Sequence, residues 1–302
     1  MNTRSMLLLI PVLLIACTAV GDETTIQQLI KEPSKNYEEI LNWQRNRIKE
    51  VNEKLGIKAV VIETDHYIVS SALQPGAAKQ IANGCEDLYK KMSKVFAVQK
   101  EDRLWAGKCV VYIFENKDQF VQFAEKIDNL DPDKTQEFGG YFSNRGGLVH
   151  IPIPTESGGE ARFESTLIHE GAHAFLQLFR QDIRIKPWIN EGVAQYFENV
   201  CFPHSGRWSM KRAMVRNQSD FTLAQLREVN SVWKVDSTQV TSFYAHAWSA
   251  ISFMIRANPK KFVKFIDAIK EGKSDDDALT IAFGKDMNEL ERAWRAYVKK
   301  SF

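Results

Sequence analysis

At 302 residues, with 44% hydrophobic and 11% aromatic content, the chain can bury a substantial core in one domain or two closely packed subdomains, which excludes a disordered protein. Its 40 basic residues are offset by 38 acidic ones, for a formal net charge of +2, so no electrostatic excess points to nucleic acid as a partner. Pairs such as Lys90-Lys91 and Lys260-Lys261 read as solvated helix faces.

The N-terminus carries an address. Arg4 precedes an apolar run from Met6 to Ala16 that is too short to span a bilayer and has the form of a signal peptide over residues 1–21. Two cleavage readings stand side by side. Leu14-Ile15-Ala16-Cys17 reads as a lipoprotein box that would leave an acylated Cys17 and a lipid anchor, whereas Ala19-Val20-Gly21 reads as an ordinary small-residue cleavage site. Either way the expectation is an exported protein: secreted, periplasmic or lipid-anchored to a membrane. Export makes disulfides available to Cys85, Cys109 and Cys201, and the odd number permits at most one bridge within the chain.

Residues 22–58 are charged and helix-prone, interrupted by Pro33, and read as a connecting or shielding segment. From there strands and helices alternate. Ala59 to Ser70 reads as a strand, Pro75 to Phe96 as a long helix, Cys109 to Phe114 as a strand and Lys117 to Asp128 as a helix. After a polar loop at Asp131 to Glu137, Gly139 to Phe142 and Gly147 to Ile153 suggest a hairpin around Asn144-Arg145-Gly146. Pro152 and Pro154 place the second of these strands on an exposed edge, because proline cannot donate to a sheet ladder. Beyond the Ser157-Gly158-Gly159 breaker the pattern is helical to the end, closing with Lys261 to Glu271, Asp275 to Phe283 and Met287 to Lys299. The fold class is therefore α+β: a small mixed sheet with helices over about 59–158, then a mainly helical half over about 159–302.

The first helix of that half contains His169-Glu170-Gly171-Ala172-His173. Residues at i and i+4 lie one above the other on a helix, so the two imidazoles can converge on one ion. Glu170 sits about 100° further round, close enough to act on water at the ion without ligating it. Phe163, Leu167 and Ile168 before the motif, and Ala174, Phe175 and Leu178 after it, supply the apolar stripe that such a helix needs. Gly171 costs about 1 kcal/mol against alanine in a helix, which is understandable if another segment packs tightly behind the motif. A third ligand is offered by Glu191 in Pro187-Trp188-Ile189-Asn190-Glu191-Gly192-Val193-Ala194, where proline opens a second helix after a turn at Asp182 to Lys186. Two imidazoles and a carboxylate suit Zn2+ and leave its fourth position for water.

His-Glu-x-x-His followed by Asn-Glu-Gly-x-Ala resembles the gluzincin metallopeptidases, and most closely their compact bacterial families. The likeness is strong from Phe163 to Glu198 and diffuse elsewhere over about 59–302. It implies a gluzincin-like peptidase domain in which His169, His173 and Glu191 bind zinc, Glu170 is the general base, and a peptide or protein is the substrate. It also implies a later tyrosine or histidine that donates to the developing oxyanion; Tyr244, in the apolar segment Ser242 to Trp248, is the candidate and His246 the second. The same Tyr244, with Trp248, Ile251 and Ile255, fits one helical face and can equally be core. In gluzincins the strand before the motif helix borders the cleft, so the proline-bearing edge can accept an extended peptide or can simply be a capped sheet edge. Gly139 to Gly147 lacks the Gly-x-Met-Glu-Asn segment of the clan's aminopeptidases, which favours endopeptidase action.

His66 and His150 read as strand residues and His204 as part of a turn, none of them a ligand. Glu198 reads as a solvated carboxylate or one that supports the ligands from behind. The rival function is a catalytically silent binding or envelope-structural protein that keeps the fold; an intact Glu170 argues against it, since a purely structural site has no need of a base.

Overall fold

A computed structural model describes residues 23–156, 160–217 and 220–302. The segment expected to be a signal peptide, with Cys17, and the Ser157-Gly158-Gly159 breaker lie outside the described residues. The chain divides into two units, residues 1–90 with 100–174 and residues 91–99 with 175–302.

The first unit is built on a sheet. It opens with α1 (Glu23–Leu29) and α2 (Tyr37–Lys54), which flank Pro33. There follow β1 (Val60–Glu63), β2 (Tyr67–Ser71), α3 (Pro75–Phe96), β3 (Cys109–Phe114), α4 (Lys117–Asp128), the short α5 (Pro132–Thr135), β4 (Ser143–Arg145), β5 (Leu148–Pro154) and α6 (Glu160–Leu178). Among the described residues the sheet has five strands in the order β1-β2-β3-β5-β4, parallel for β2/β3 and β3/β5 and antiparallel at both ends. Each parallel pair needs a crossover, and α3 and α4 provide them. β3 is buried at all six positions, which explains its unbroken apolar run Cys-Val-Val-Tyr-Ile-Phe.

Ile68, Val110, Tyr112 and Phe114 of the sheet pack with Phe120, Phe123, Ala124 and Ile127 of α4 and with Ile48 and Val51 of α2. α2 is thus part of the sheet unit's core and not merely a connector. Arg45 reinforces the join, donating to both oxygens of Glu63 at 2.9 and 2.8 Å.

The sequence reading is corrected at four places. Ala59 to Ser70 is not one strand: it bends at Asp65 and His66 into the antiparallel pair β1 and β2, with Thr64 N–H bonded to the Tyr67 carbonyl. The loop after α4 contains α5, started by Asp131, whose side chain accepts the Asp133 N–H. The hairpin is present, but its first strand is Ser143–Arg145 and its turn uses Gly146 and Gly147, both left-handed with φ of 61° and 92°, as a tight primed turn requires. Pro152 and Pro154 are buried on an interior strand, paired through β3 with Tyr112 and Phe114. The sheet tolerates them because β4 begins opposite His150 and does not reach them, and on that side the Pro152 carbonyl accepts from Tyr141 N–H. The prolines occupy the part of β5 where no partner strand asks for an N–H.

Asp128 ends α4 in the interior, within reach of Tyr141 Oη at 2.6 Å, His150 Nε2 at 2.8 Å and Arg145 at 3.3 Å. Burial pushes its carboxyl upward, and His150, Tyr141 and Arg145 together outweigh that and hold it below the usual range. A depressed folded pKa contributes stability above the unfolded value, and this is lost as pH falls through the folded one. Asp128→Ala should therefore cost about 3 kcal/mol or more at pH 7 in urea unfolding, since it strands buried partners. The gap to wild type should narrow as the pH is taken below about 4; a gap that is constant with pH would contradict the ionic role.

Candidate metal centre

α6 is buried nearly all round, with Phe163, Leu167, Ile168, Ala172, Ala174, Phe175 and Leu176 in the interior. His169, Glu170 and His173 are buried with them, at 5%, 0% and 0% exposure. The four-residue spacing brings the two imidazole Nε2 atoms to 3.0 Å from each other, with the rings perpendicular. Phe142 stands against His173, its ring centroid 6.1 Å away. A methyl on Gly171 would come within 2.7 Å of Leu88 on α3, so the tight packing expected behind the motif is present.

The second unit is helical. Besides the ends of α3 and α6 from residues 91 and 175 onward, it comprises α7 (Pro187–Cys201), α8 (Gly206–Asn217), α9 (Leu223–Glu228), a 3-10 turn at Val232–Lys234, α10 (Val240–Ala257), α11 (Pro259–Lys270), α12 (Asp275–Phe283) and α13 (Met287–Ser301). Pro187 opens α7, and Trp188, Ile189, Val193, Ala194 and Phe197 form its buried face. Glu191 is 4% exposed. The ligand atoms of His169, His173 and Glu191 all lie within 4.8 Å of one another, a buried group that could hold a metal ion.

Gly192 has a reason that the sequence does not reveal. A Cβ there would meet the Ala247 carbonyl oxygen at 2.7 Å and Ile251 at 2.5 Å, so α7 and α10 approach backbone to side chain beside Glu191. On the turns that follow Glu191, Gln195 donates to Glu198 at 2.6 Å, Lys211 of α8 reaches Gln195, and Arg207 pairs with Glu198. Glu198 is consequently buried and ion-paired, not solvated. Burial, with Arg207 adding to it and Glu191 opposing, drives the Lys211 ammonium well below its ordinary pKa. Sequence reasoning missed this network; the polar spacing Glu191, Gln195, Glu198 on one helical face was its available signal, and Lys211 and Arg207 left none.

Tyr244 is buried on α10, one turn before the Ala247 that meets Gly192. His246 is turned into its own helix, with Nδ1 2.8 Å from the Ser242 carbonyl. His150 belongs to the Asp128 cluster, His66 stacks on Tyr89 and bonds Glu86 at 2.7 Å, and His204 is exposed in a turn. Cys85 and Cys109 are buried and Cys201 is half-buried, and none of the three is in a disulfide among the described residues.

The two motif glycines should respond differently to alanine. Gly192→Ala sets a methyl against backbone and should cost about 1–3 kcal/mol. Gly171→Ala meets only the end of the Leu88 side chain and gains about 1 kcal/mol of helix propensity, so its effect should be small. Thermal unfolding of the two variants checks this, and equal losses would remove the close-approach explanation for Gly192.

No curated protein matches the chain. The family model of the Peptidase MA superfamily matches residues 149–300, from β5 through α13, and so takes in the histidine pair, Glu170, Glu191 and Tyr244. That match spans half of the chain and rests on the same segment that buries the two histidines and the glutamate; the chain belongs to the Peptidase MA superfamily.

Proposed function

We propose that the protein hydrolyses peptide bonds in a zinc-dependent reaction, with His169, His173 and Glu191 as the ligands and Glu170 as general base. The observation that carries this reading is the buried His169-His173-Glu191 group with Glu170 beside it in the chain. The donor set fits the ion. Two neutral imidazoles and one carboxylate form a three-ligand zinc set, whereas calcium and magnesium ask for six or more oxygens. The 3.0 Å between the imidazole nitrogens is close to the roughly 3.3 Å edge of a tetrahedral site with zinc–nitrogen bonds of about 2.05 Å.

Zinc held there would supply the Lewis acidity needed to polarise a peptide carbonyl and acidify the attacking water. Glu170 accepts the water's proton as the new carbon–oxygen bond forms and delivers it to the departing amine nitrogen. Tyr244 donates its hydroxyl hydrogen to the oxygen that gains charge. Its burial on the helix that packs behind Glu191 supports that role. The absence of a Gly-x-Met-Glu-Asn segment between Gly139 and Gly147 supports endopeptidase action. The apolar run from Met6 to Ala16 supports export, through either Cys17 lipidation or ordinary cleavage, and the N-terminal residue of the mature protein decides between them.

Glu170→Gln should keep its zinc and lose about 10²–10⁴-fold in turnover of a peptide library read by mass spectrometry. His169→Ala and Glu191→Ala should lose the metal itself. Hydrolysis that survives Glu170→Gln would remove the base assignment, and wild-type protein that holds zinc but cleaves nothing would favour the silent binding protein. Tyr244→Phe should lower kcat about 10²-fold with KM little changed; an unchanged kcat would return Tyr244 to the core.

A further inference from the structure

The chemistry above depends on where α6 ends and α7 begins, because Glu191 follows His173 only after an eight-residue connection, residues 179–186. That connection has little regular structure of its own. Two consecutive short bonds, Gln181 N–H to the Phe179 carbonyl and Ile183 N–H to the Gln181 carbonyl, fold it tightly. Arg180 is held in the left-handed region at φ 67°, a conformation that costs a non-glycine residue energy and persists only when the surroundings impose it.

A second turn, about ninety residues later, grips the same connection. Lys270, the last residue of α11, is 1% exposed, and its ammonium donates to the carbonyls of Gln177, Gln181 and Ile183 at 2.6, 2.8 and 2.9 Å. An ammonium has three protons, and all three are spent on this one segment. The first of these carbonyls belongs to the last turn of α6, where helical partners run out. Five residues on, Asp275, the first residue of α12, holds the other end of the connection. Its Oδ2 accepts from the Trp188 indole at 3.2 Å and lies 3.4 Å from the Lys186 ammonium, while Arg227 of α9 reaches the same oxygen at 3.3 Å. Arg180 adds a lateral tie to Asp267 of α11 at 2.9 Å.

We propose that the α11–α12 turn is the gauge that sets the exit of α6 against the entry of α7, with Lys270 and Asp275 as positioning residues for metal binding. A buried ammonium and a buried carboxylate are poor choices if stability alone is needed, since well-packed apolar residues usually do as well or better. They are good choices for fixing one trace among several. The inference rests on the reading of His169, His173 and Glu191 as ligands.

The test uses the whole protein and Zn2+ alone as probe, with affinity measured by chelator competition. Wild type that binds no zinc removes the ligand reading, and this inference falls with it. Given zinc binding, Lys270→Met and Asp275→Ala should each weaken it at least about tenfold, comparable to losing an outer-shell partner. Lys270→Arg, which keeps charge and donors, should recover part of the loss. Asp286→Ala removes the α13 N-cap, far along the chain from the connection, and serves as a control that destabilises without touching the gauge. Unchanged zinc affinity in Lys270→Met, or an equal loss in a control matched for Tm, overturns the proposal. Should Lys270→Met fail to fold, amide exchange over residues 179–186 in wild type decides: slower exchange on adding zinc supports the coupling, and no change overturns it.

Discussion

Desolvation of titratable side chains is the constraint on which the rest of this structure depends. His169, Glu170 and His173 lie within one unbroken buried stretch of α6, and Glu191 is buried on α7. Taking such groups out of water costs several kcal/mol each unless a partner of suitable charge or hydrogen-bonding capacity is supplied at a fixed place. A surface site could tolerate slack in its scaffold. An interior one cannot, because a small displacement strands a polar group where no water can reach it. Gly171 and Gly192 fit this demand from two sides: each omits a Cβ where a neighbour stands within 2.7 Å, Leu88 behind the first and Ala247 and Ile251 behind the second.

The same logic recurs away from the motif. Asp128 collects Tyr141, His150 and Arg145; Asp275 collects Trp188, Lys186 and Arg227; Lys270 collects three carbonyls. In each case one buried charge ties together parts of the chain that lie apart in sequence, which is how a polar group in a core selects one arrangement over near alternatives. Lys211, Gln195, Glu198 and Arg207 do this along α7 itself, downstream of Glu191. The apolar contacts make the interior stable, and these clusters specify which packing is used.

That division explains which features were legible in the sequence. The four-residue histidine spacing, the apolar runs of β3 and α10, and Glu191 in its Asn-Glu-Gly setting are local patterns, and each lies where its pattern says. The misreadings are long-range. Ala59 to Ser70 alternates like one strand, yet it bends at Asp65 and His66, and its second half pairs on one side with its own first half and on the other with β3. Pro152 and Pro154 suggest an exposed edge by a sound local rule, yet they are buried on an interior strand that pairs with β3, and only its other side, where β4 stops short, has no partner strand. Glu198 leaves two readings open, solvated or supporting the ligands from behind, and only Arg207, delivered by α8, excludes the first. Periodicity can report which face of an element is buried, but not which distant charge will meet it.

A motif in this sense is only half of a site. His169, Glu170 and His173 come as a unit because one helix fixes them, but Glu191 comes from a separate helix, and the interval between them is a loop with a left-handed arginine and no regular ladder to hold it. Its geometry has to be supplied from outside, and Lys270 and Asp275 are placed to supply it, some eighty residues after the carboxylate they serve. On this view the sequence unit that must be kept intact is not the stretch from the first histidine to the glutamate. It runs on through α11 and α12.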